Sequence, residues 1–222
     1  MRISLIVFFV LLLRLPVPGQ DVSKKSILVI LAHVDDETAF GGSLASLAGQ
    51  GHIVQLVYAV DGRNDARLLP HAPPGSIVAQ KKAEAGCSCR ELGIPPPVFL
   101  GFNSPDRKYG NKDGVADAVR SGARFRYTIR TIIENRKPDV LITMGPDGEY
   151  GHPEHIIVHS IVTELLLREA WVDEYPLYYF GWPRSLEEGN DGWVRYADDR
   201  YFNLVSEYSD ADEQKAFASM RC

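Results

Sequence analysis

The sequence predicts a single-domain α/β protein with a doubly wound and mostly parallel sheet. Short apolar runs rich in branched residues alternate with helical segments, which is the pattern of a parallel sheet covered by helices on both faces. With 222 residues, 45% of them hydrophobic, the chain is long enough to bury one sizeable core. In such folds, active sites gather in the crevice outside the carboxyl ends of the strands.

The first nineteen residues have the features of a secretory signal peptide. Arg2 precedes the unbroken apolar run Leu5–Leu13, and Arg14 with a tail of proline and glycine follows it. The run is too short to cross a bilayer as a helix, and it lacks the polar face that a half-buried terminal element would need. We therefore expect residues 1–19 to be removed and residues 20–222 to form one secreted or periplasmic domain.

Apolar periodicity and turn residues predict each element in order. Strands are expected where branched residues run together, and helices where apolar residues recur at helical spacing before a glycine. The predicted elements are strand Ser26–Ala32, helix Asp36–Ala48, strand Ile53–Val60, helix Ile77–Leu92, strand Val98–Gly101, helix Val115–Asn135 and strand Asp139–Met144.

After Pro176 the pattern weakens. Leu177–Trp182 and Tyr201–Tyr208 look like strands, and Ala211–Met220 begins a helix. The chain ends just as this helix begins, which is the pattern of a truncated reading frame.

Charge and apolar length exclude two classes of partner. The formal net charge is −5, and removing the two arginines of residues 1–19, a segment without acids, makes it −7. This balance disfavours nucleic acid and anionic membranes. No later stretch approaches transmembrane length, and the first twenty residues hold no cysteine for a lipid anchor. We expect a mature protein without a stable membrane anchor.

The three cysteines match neither a disulfide framework nor a zinc knuckle. Cys87 and Cys89 lie two apart in a predicted helix, and Cys222 is terminal. We expect them to be structural or incidental.

The first chemical cluster lies where the first strand ends. His33, Asp35, Asp36 and Glu37 place one imidazole and three carboxylates within five residues. Catalytic zinc takes three ligands from such side chains and leaves a position for water. The alternative is a helix cap, because acids also stabilise a helix N-terminus.

The second cluster follows the fourth strand. In the segment from Gly148 to His155, two histidines stand three residues apart at another helix start, with Pro153 at the first helical position. His155 would face the crevice from the first turn, while His152 would lie at the cap; solvated surface histidines are the alternative. Two such clusters at two strand ends make coincidence a weak explanation.

The chain resembles the PIG-L/LmbE-like de-N-acetylase family. The family's AHPDDE motif after the first strand stands here as AHVDDE, residues 32–37, and its HPDH-type motif as HPEH, residues 152–155. Between them, the helix that ends in Leu92-Gly93 resembles the family's as well. The resemblance covers about residues 26–165.

The resemblance implies a Rossmann-like fold with one zinc ion (Zn²⁺) per chain, held by His33, Asp36 and His155. The sequence does not decide whether Fe²⁺ takes the place of zinc. It implies Asp35 as general base, and His152 as the group that stabilises the oxyanion or protonates the leaving amine. The residues alone do not divide the roles of Asp35 and Asp36. The expected reaction is amide hydrolysis of an N-acetylglucosamine-type sugar or sugar conjugate, a small-molecule substrate.

Four further residues are candidates by position. Tyr150, just before the second motif, matches a tyrosine that approaches the substrate carbonyl in some members of the family. Arg63 or Arg67, in a loop that departs from the family pattern, corresponds to an arginine that contacts the sugar. Asp147 is a candidate for contact with the metal, the substrate or Tyr150, and a turn former is the alternative. His159 is expected to serve packing.

Two other functions fit parts of the pattern. A secreted carbohydrate-binding protein of the same fold, with metal bound but catalysis lost, would explain the altered loops; the intact Asp35 and His152 argue against it. A nucleotide-binding protein is disfavoured, because the first turn lacks a glycine fingerprint and its acids would repel pyrophosphate.

Overall fold

The computed structural model describes residues 23–63, 68, 70–102, 112–187 and 194–222. Residues 112–121 are described by their backbone only. The predicted signal peptide and Arg67 lie outside the described residues.

The main sheet has five strands, and every neighbouring pair is parallel. Their order across the sheet is β3-β2-β1-β4-β5. The strands are β1 Ser26–Leu31, β2 Ile53–Val60, β3 Val98–Phe102, β4 Val140–Thr143 and β5 Leu177–Tyr179; a separate two-stranded ribbon pairs β6 Trp182–Pro183 with β7 Tyr196–Ala197. The predicted doubly wound parallel sheet is confirmed.

In the described part of the chain, five α-helices flank the sheet in two groups. They are α1 Gly41–Gly49, α2 Pro74–Leu92, α3 Lys112–Arg136, α4 Pro153–Arg168 and α5 Asp210–Ser219. Helices α1, α2 and α5 pack together, and α3 packs against α4. Each of the five is also too short or too polar to cross a membrane over its described residues.

The core is built on β1 and β2, which are buried almost throughout. In β1, Val29, Ile30 and Leu31 are fully buried, as a continuous apolar run requires when both sheet faces are covered. Leu44 of α1 and Leu165 of α4 add to the same core. This packing fixes the direction in which β1 ends, and therefore the position of the residues that follow it.

The strand order reverses between β1 and β4. From β1 the chain moves outward through β2 and β3, then returns to place β4 on the other side of β1. The helices that follow the two strands diverge there and leave a crevice at their carboxyl ends. Both chemical clusters of the sequence follow these two strands.

Three predicted elements differ in the structure. The segment Leu177–Trp182, predicted as one strand, contains β5 of the main sheet and the first residue of β6 in the ribbon. The first helix begins with a separate 3₁₀ helix, Asp36–Phe40, before α1. The strand predicted over Tyr201–Tyr208 is wrong: a 3₁₀ helix ends at Tyr201, and residues 202–209 have no regular structure. Leu204 and Val205 of this segment are exposed, so its apolar residues do not mark a buried face.

Of the two roles expected for the cysteines, structural or incidental, the structure gives Cys87 and Cys222 a structural one, through a disulfide that their spacing did not predict. Cys87 of α2 and Cys222, just after α5, form a disulfide across 135 residues of sequence, while Cys89 is free and buried. Local spacing cannot reveal such a pair, because it forms only when α5 folds back onto α2. The disulfide anchors the end of the chain to the body of the domain.

We expect Cys222→Ser to lower the free energy of unfolding by about 2–5 kcal/mol. The chain-entropy model gives about 5 kcal/mol for a closed loop of this length, because the crosslink restricts the unfolded chain. Urea unfolding with and without dithiothreitol measures the effect, and reductant should not change the variant further. Equal midpoints for the oxidised and reduced wild-type protein would contradict the prediction.

Candidate active site and metal centre

The site is assembled from two loops that follow neighbouring strands. His33 comes two residues after β1, and Asp36 begins the 3₁₀ helix. His155 lies in the first turn of α4, the helix that follows the loop after β4. Because β1 and β4 are paired, these residues meet in the crevice although His33 and His155 are 122 positions apart in sequence.

Three side-chain atoms converge on one point. His33 Nδ1 lies 3.1 Å from His155 Nε2, and Asp36 Oδ1 lies 3.2 Å from His155 Nε2 and 3.7 Å from His33 Nδ1. Zinc bonds of 2.0–2.1 Å at tetrahedral angles separate two ligand atoms by about 3.3 Å. The triangle therefore has the size that a tetrahedral metal ion requires.

Asp36 and Asp35 have different environments. One oxygen of Asp36 accepts hydrogen bonds from the backbone N–H groups of Ala32 and His33, at 3.0 and 2.7 Å, and its other oxygen faces both histidines. Asp35 is exposed and lines the cavity beside this point. The geometry therefore favours Asp36 as a metal ligand and leaves Asp35 free to act on water or substrate.

Asp35 is also held in an unusual backbone conformation. Its φ of 96° lies in the left-handed region, which non-glycine residues adopt at a cost. The buried Glu37 stabilises this turn. Its carboxylate accepts hydrogen bonds from the Asp35 N–H at 3.1 Å and from the Ser88 hydroxyl at 2.6 Å. The third acid of the first cluster thus serves the shape of the turn.

Each of the two facing histidines has a carboxylate on its other ring nitrogen. His155 Nδ1 lies 2.5 Å from Glu149 Oε2, and the second oxygen of Glu149 accepts the Gly145 N–H at 2.7 Å. His33 Nε2 pairs with Glu154. Such carboxylates fix the ring orientation and the tautomer of metal-binding histidines.

Glu149 was missed by the sequence analysis. It is buried, and its φ is 58°, so its side chain is turned inward from a strained loop position. The available signal was an acid within the loop before His152 and His155, where a solvated role is the common one. Only the fold shows that this acid lies behind a histidine.

The two facing histidines and Asp36 shift one another's pKa values. Burial alone would lower the pKa of His33 and of His155, but hydrogen bonds to Asp36 and to Glu154 or Glu149 raise both. Burial would raise the pKa of Asp36, but the two histidines hold it well below its usual range. A raised pKa means that each ring holds its proton more tightly, and a bound metal ion must displace the proton from a facing nitrogen. Metal affinity should therefore fall as the pH falls.

His152 caps α4 and flanks the same point. Its Nδ1 accepts the Glu154 N–H at 3.2 Å. A ring nitrogen of His152 also lies within 4.8 Å of ligand atoms of His33 and His155, so three imidazoles are compatible with a metal site. The contacts of Asp36 with both facing histidines are shorter, and we therefore favour Asp36 as the third ligand.

The environment of His152 differs from that of the facing histidines. Burial, followed by the charges on His33 and His155, lowers the pKa of His152 to about 4. The ring is therefore neutral at neutral pH. Because Nδ1 accepts a hydrogen bond, the ring proton is on Nε2.

A cavity of about 330 Å³ opens beside the three converging atoms. One wall is polar and the other is largely apolar. The lining residues are Asp35, Asp36, Thr38, Ala39, Met144, Glu149, Tyr150, His155, Phe180 and Trp182. Tyr150 is 44% exposed, and its ring packs edge-on against His152 and His155, with centroids 5.6 and 5.2 Å apart.

The remaining candidates lie outside this lining, as far as the described residues define it. Arg63 forms a forked ion pair with Asp61 at the end of β2. Asp147 accepts the Glu149 N–H at 3.1 Å, as a turn former does. His159 Nδ1 lies 3.1 Å from the Met144 carbonyl, which fits the expected packing role.

Glu149→Gln should weaken zinc binding about 10- to 100-fold. A neutral amide cannot match the carboxylate, which faces both the His155 ring and the Gly145 N–H. Competition with a chromophoric chelator measures the affinity. Glu164→Gln, which changes an α4 glutamate paired with Arg126 and Arg168, is the matched control. Equal affinities for the Glu149 variant and the wild-type protein would show that Glu149 does not support the site.

Comparison with known proteins gives related proteins that share one name. The 1D-myo-inositol 2-acetamido-2-deoxy-alpha-D-glucopyranoside deacetylase of Mycobacteroides abscessus is 28% identical over 159 residues, covering 66% of this chain and 57% of that protein. The protein of the same name from Mycobacterium sp. strain KMS is 31% identical over 170 residues, covering 69% and 53%. The chain thus spans about half the length of these relatives.

A solved deacetylase from the biosynthesis pathway of teicoplanin shares the fold. It superposes with a TM-score of 0.66 at 18% identity, over 89% of this chain and 83% of that one. The family model described as PIG-L, GlcNAc-PI de-N-acetylase, matches residues 28–166, which run from β1 into α4 and include both clusters. The chain belongs to the PIG-L family.

Proposed function

We propose that this protein is an exported, zinc-dependent hydrolase that removes the N-acetyl group from an N-acetylglucosamine-type sugar or sugar conjugate. The observation that carries the proposal is the convergence of His33 Nδ1, Asp36 Oδ1 and His155 Nε2 on one point, with Asp35 beside it in an open cavity. Membership of the PIG-L family and the activity named for the mycobacterial relatives support the substrate class.

The donor set fits zinc well. Two imidazoles and one carboxylate are ligands that zinc takes in catalytic sites, and Fe²⁺ accepts the same set. When bound, such an ion supplies Lewis acidity that polarises the amide carbonyl and makes water more acidic. Glu149 and Glu154 would keep the two imidazoles oriented while the reaction proceeds.

Asp35 is the proposed general base. Asp35 is exposed overall, but partial desolvation of its carboxyl group, followed by the neighbouring charge of Asp36, raises its pKa from the ordinary value. A carboxylate with a raised pKa is a stronger base than an ordinary aspartate and can take a proton from the attacking water. Its place on the cavity wall, next to a ligand without being one, suits this role.

His152 is the proposed donor to the developing oxyanion. A neutral ring with its proton on Nε2 offers one N–H group and can donate it without leaving a buried charge behind. Tyr150 is exposed at the cavity, and its hydroxyl group is the proposed second donor to the substrate carbonyl.

Metal analysis and an acetate-release assay test the proposal. The purified protein should contain one zinc ion per chain and release acetate from at least one of a panel of N-acetyl sugars. Chelation should abolish the activity, and Zn²⁺ or Fe²⁺ should restore it. Sugar binding without acetate release by metal-loaded protein would instead favour a carbohydrate-binding protein that has lost catalysis.

Export is the part of the proposal that concerns location. The apolar leader of residues 1–19 and the disulfide between Cys87 and Cys222 support it, because disulfides persist in oxidising compartments. Mass spectrometry of the mature protein should give the mass of a chain without residues 1–19. An intact N-terminus on protein from the cytosolic fraction would contradict export.

A further inference from the structure

Phe180 and Trp182 form an aromatic wall of the cavity, whose lining also includes the metal-binding residues Asp36 and His155. Phe180 and Trp182 follow the edge strand β5, and both are half-buried. Their ring centroids lie 6.0 Å apart, and Phe180 also packs against Phe40 with centroids 4.6 Å apart. The wall is thus a connected aromatic cluster with one side turned to the cavity.

Backbone contacts hold this wall in place. The Phe180 N–H donates to the Thr143 carbonyl at 3.1 Å, extending the pairing of β5 with β4. Trp182 lies in the ribbon, paired with Tyr196. Next to Tyr196, the Arg195 N–H donates to the Glu149 carbonyl at 2.5 Å. The ribbon therefore connects the aromatic wall to the loop that orients His155.

The two walls suit two different parts of a substrate. An acetamido group needs the carboxylates and imidazoles around Asp36 and His155. A pyranose ring is amphipathic: its C–H face is apolar, while its hydroxyl groups point outward around the rim. Indole and phenyl rings complement such a face, and a half-buried indole gains by covering its exposed side.

We propose that Trp182 is the platform on which the sugar ring of the substrate stacks. Phe180 packs edge to face with the Trp182 ring and supports it. This inference rests on the proposed function and deepens it, because it assigns the sugar and the acetamido group to different parts of the cavity lining. Trp182 is therefore a specificity residue that selects cyclic N-acetyl sugars over acyclic acetamides.

Steady-state kinetics on two substrates provides the test. For N-acetylglucosamine, Trp182→Ala should raise KM about tenfold with little change in kcat, since ring stacking acts in the ground state and the transition state alike. Trp182→Phe should recover most of the loss. The acyclic N-acetylethanolamine should be hydrolysed equally by all forms. Trp171→Phe, which changes an indole packed against Tyr175, is the matched control.

Binding of D-glucosamine to the zinc-loaded protein gives a readout that needs no turnover. Calorimetry should show an affinity about tenfold lower for Trp182→Ala, and the sugar should quench fluorescence in Trp171→Phe but far less in Trp182→Phe. If no N-acetyl sugar is hydrolysed, the proposed function fails and this binding experiment still decides the platform. Unchanged binding in Trp182→Ala, or equal impairment on the acyclic substrate, would overturn the inference.

Discussion

His155→Ala should leave the purified protein with far less than one zinc ion per chain and without measurable acetate release. Two remaining ligands hold zinc poorly against water, and the carboxylates of Asp36 and Glu149 lose the imidazole between them. We expect the same for His33→Ala. Elemental analysis gives the metal content, and circular dichroism shows whether the fold is retained.

His159→Ala is the matched control for these variants. His159 lies one turn further along α4 and contacts the Met144 carbonyl instead of the converging atoms. This variant should keep its metal. Stoichiometric zinc in both His33→Ala and His155→Ala would mean that the metal site is misassigned.

Asp35→Asn should keep the metal while kcat falls by about 10²–10⁴, the usual contribution of a positioned general base. Asparagine retains the size of the side chain and tolerates the left-handed conformation at this position, so the change isolates the lost base. Acetate release is measured on one responsive N-acetyl sugar, alongside metal content.

The adjacent Asp36→Asn supplies the contrast. It should lose the metal, because an amide is a poor substitute for a carboxylate that faces two imidazoles. Full activity in Asp35→Asn would refute the assigned base. Loss of metal in Asp35→Asn, with metal retained in Asp36→Asn, would mean that the two roles are exchanged.

The sheet could be predicted from the sequence because its strands are buried on both faces. Residues 53–60 form a strand with the predicted bounds, and β1 differs from its prediction by one residue. Where burial is partial, the pattern misled: Leu204 and Val205 suggested a strand but are exposed in a segment without regular structure. Apolar alternation indicates a strand only when a partner covers one face.

The residues of the candidate site could largely be predicted from the sequence, but the role of each residue could not. Motifs at two strand ends bring His33 and His155 together, as the fold rule for parallel sheets implies. Which aspartate faces the histidines depends on a turn with one left-handed residue, Asp35, and local spacing does not encode that conformation. Glu149 escaped prediction for a similar reason, since its role requires a loop that turns the side chain inward.

The reversal of strand order between β1 and β4 has a consequence for folding. The facing nitrogens of His33 and His155 belong to residues 122 positions apart, so the site is a contact of long range in sequence. Such contacts form only after the entropy of closing the intervening chain has been offset by packing. Neither half of the chain can build the candidate metal site alone, and a nascent chain acquires it only after β4 and His155 have been synthesised and β4 has paired beside β1.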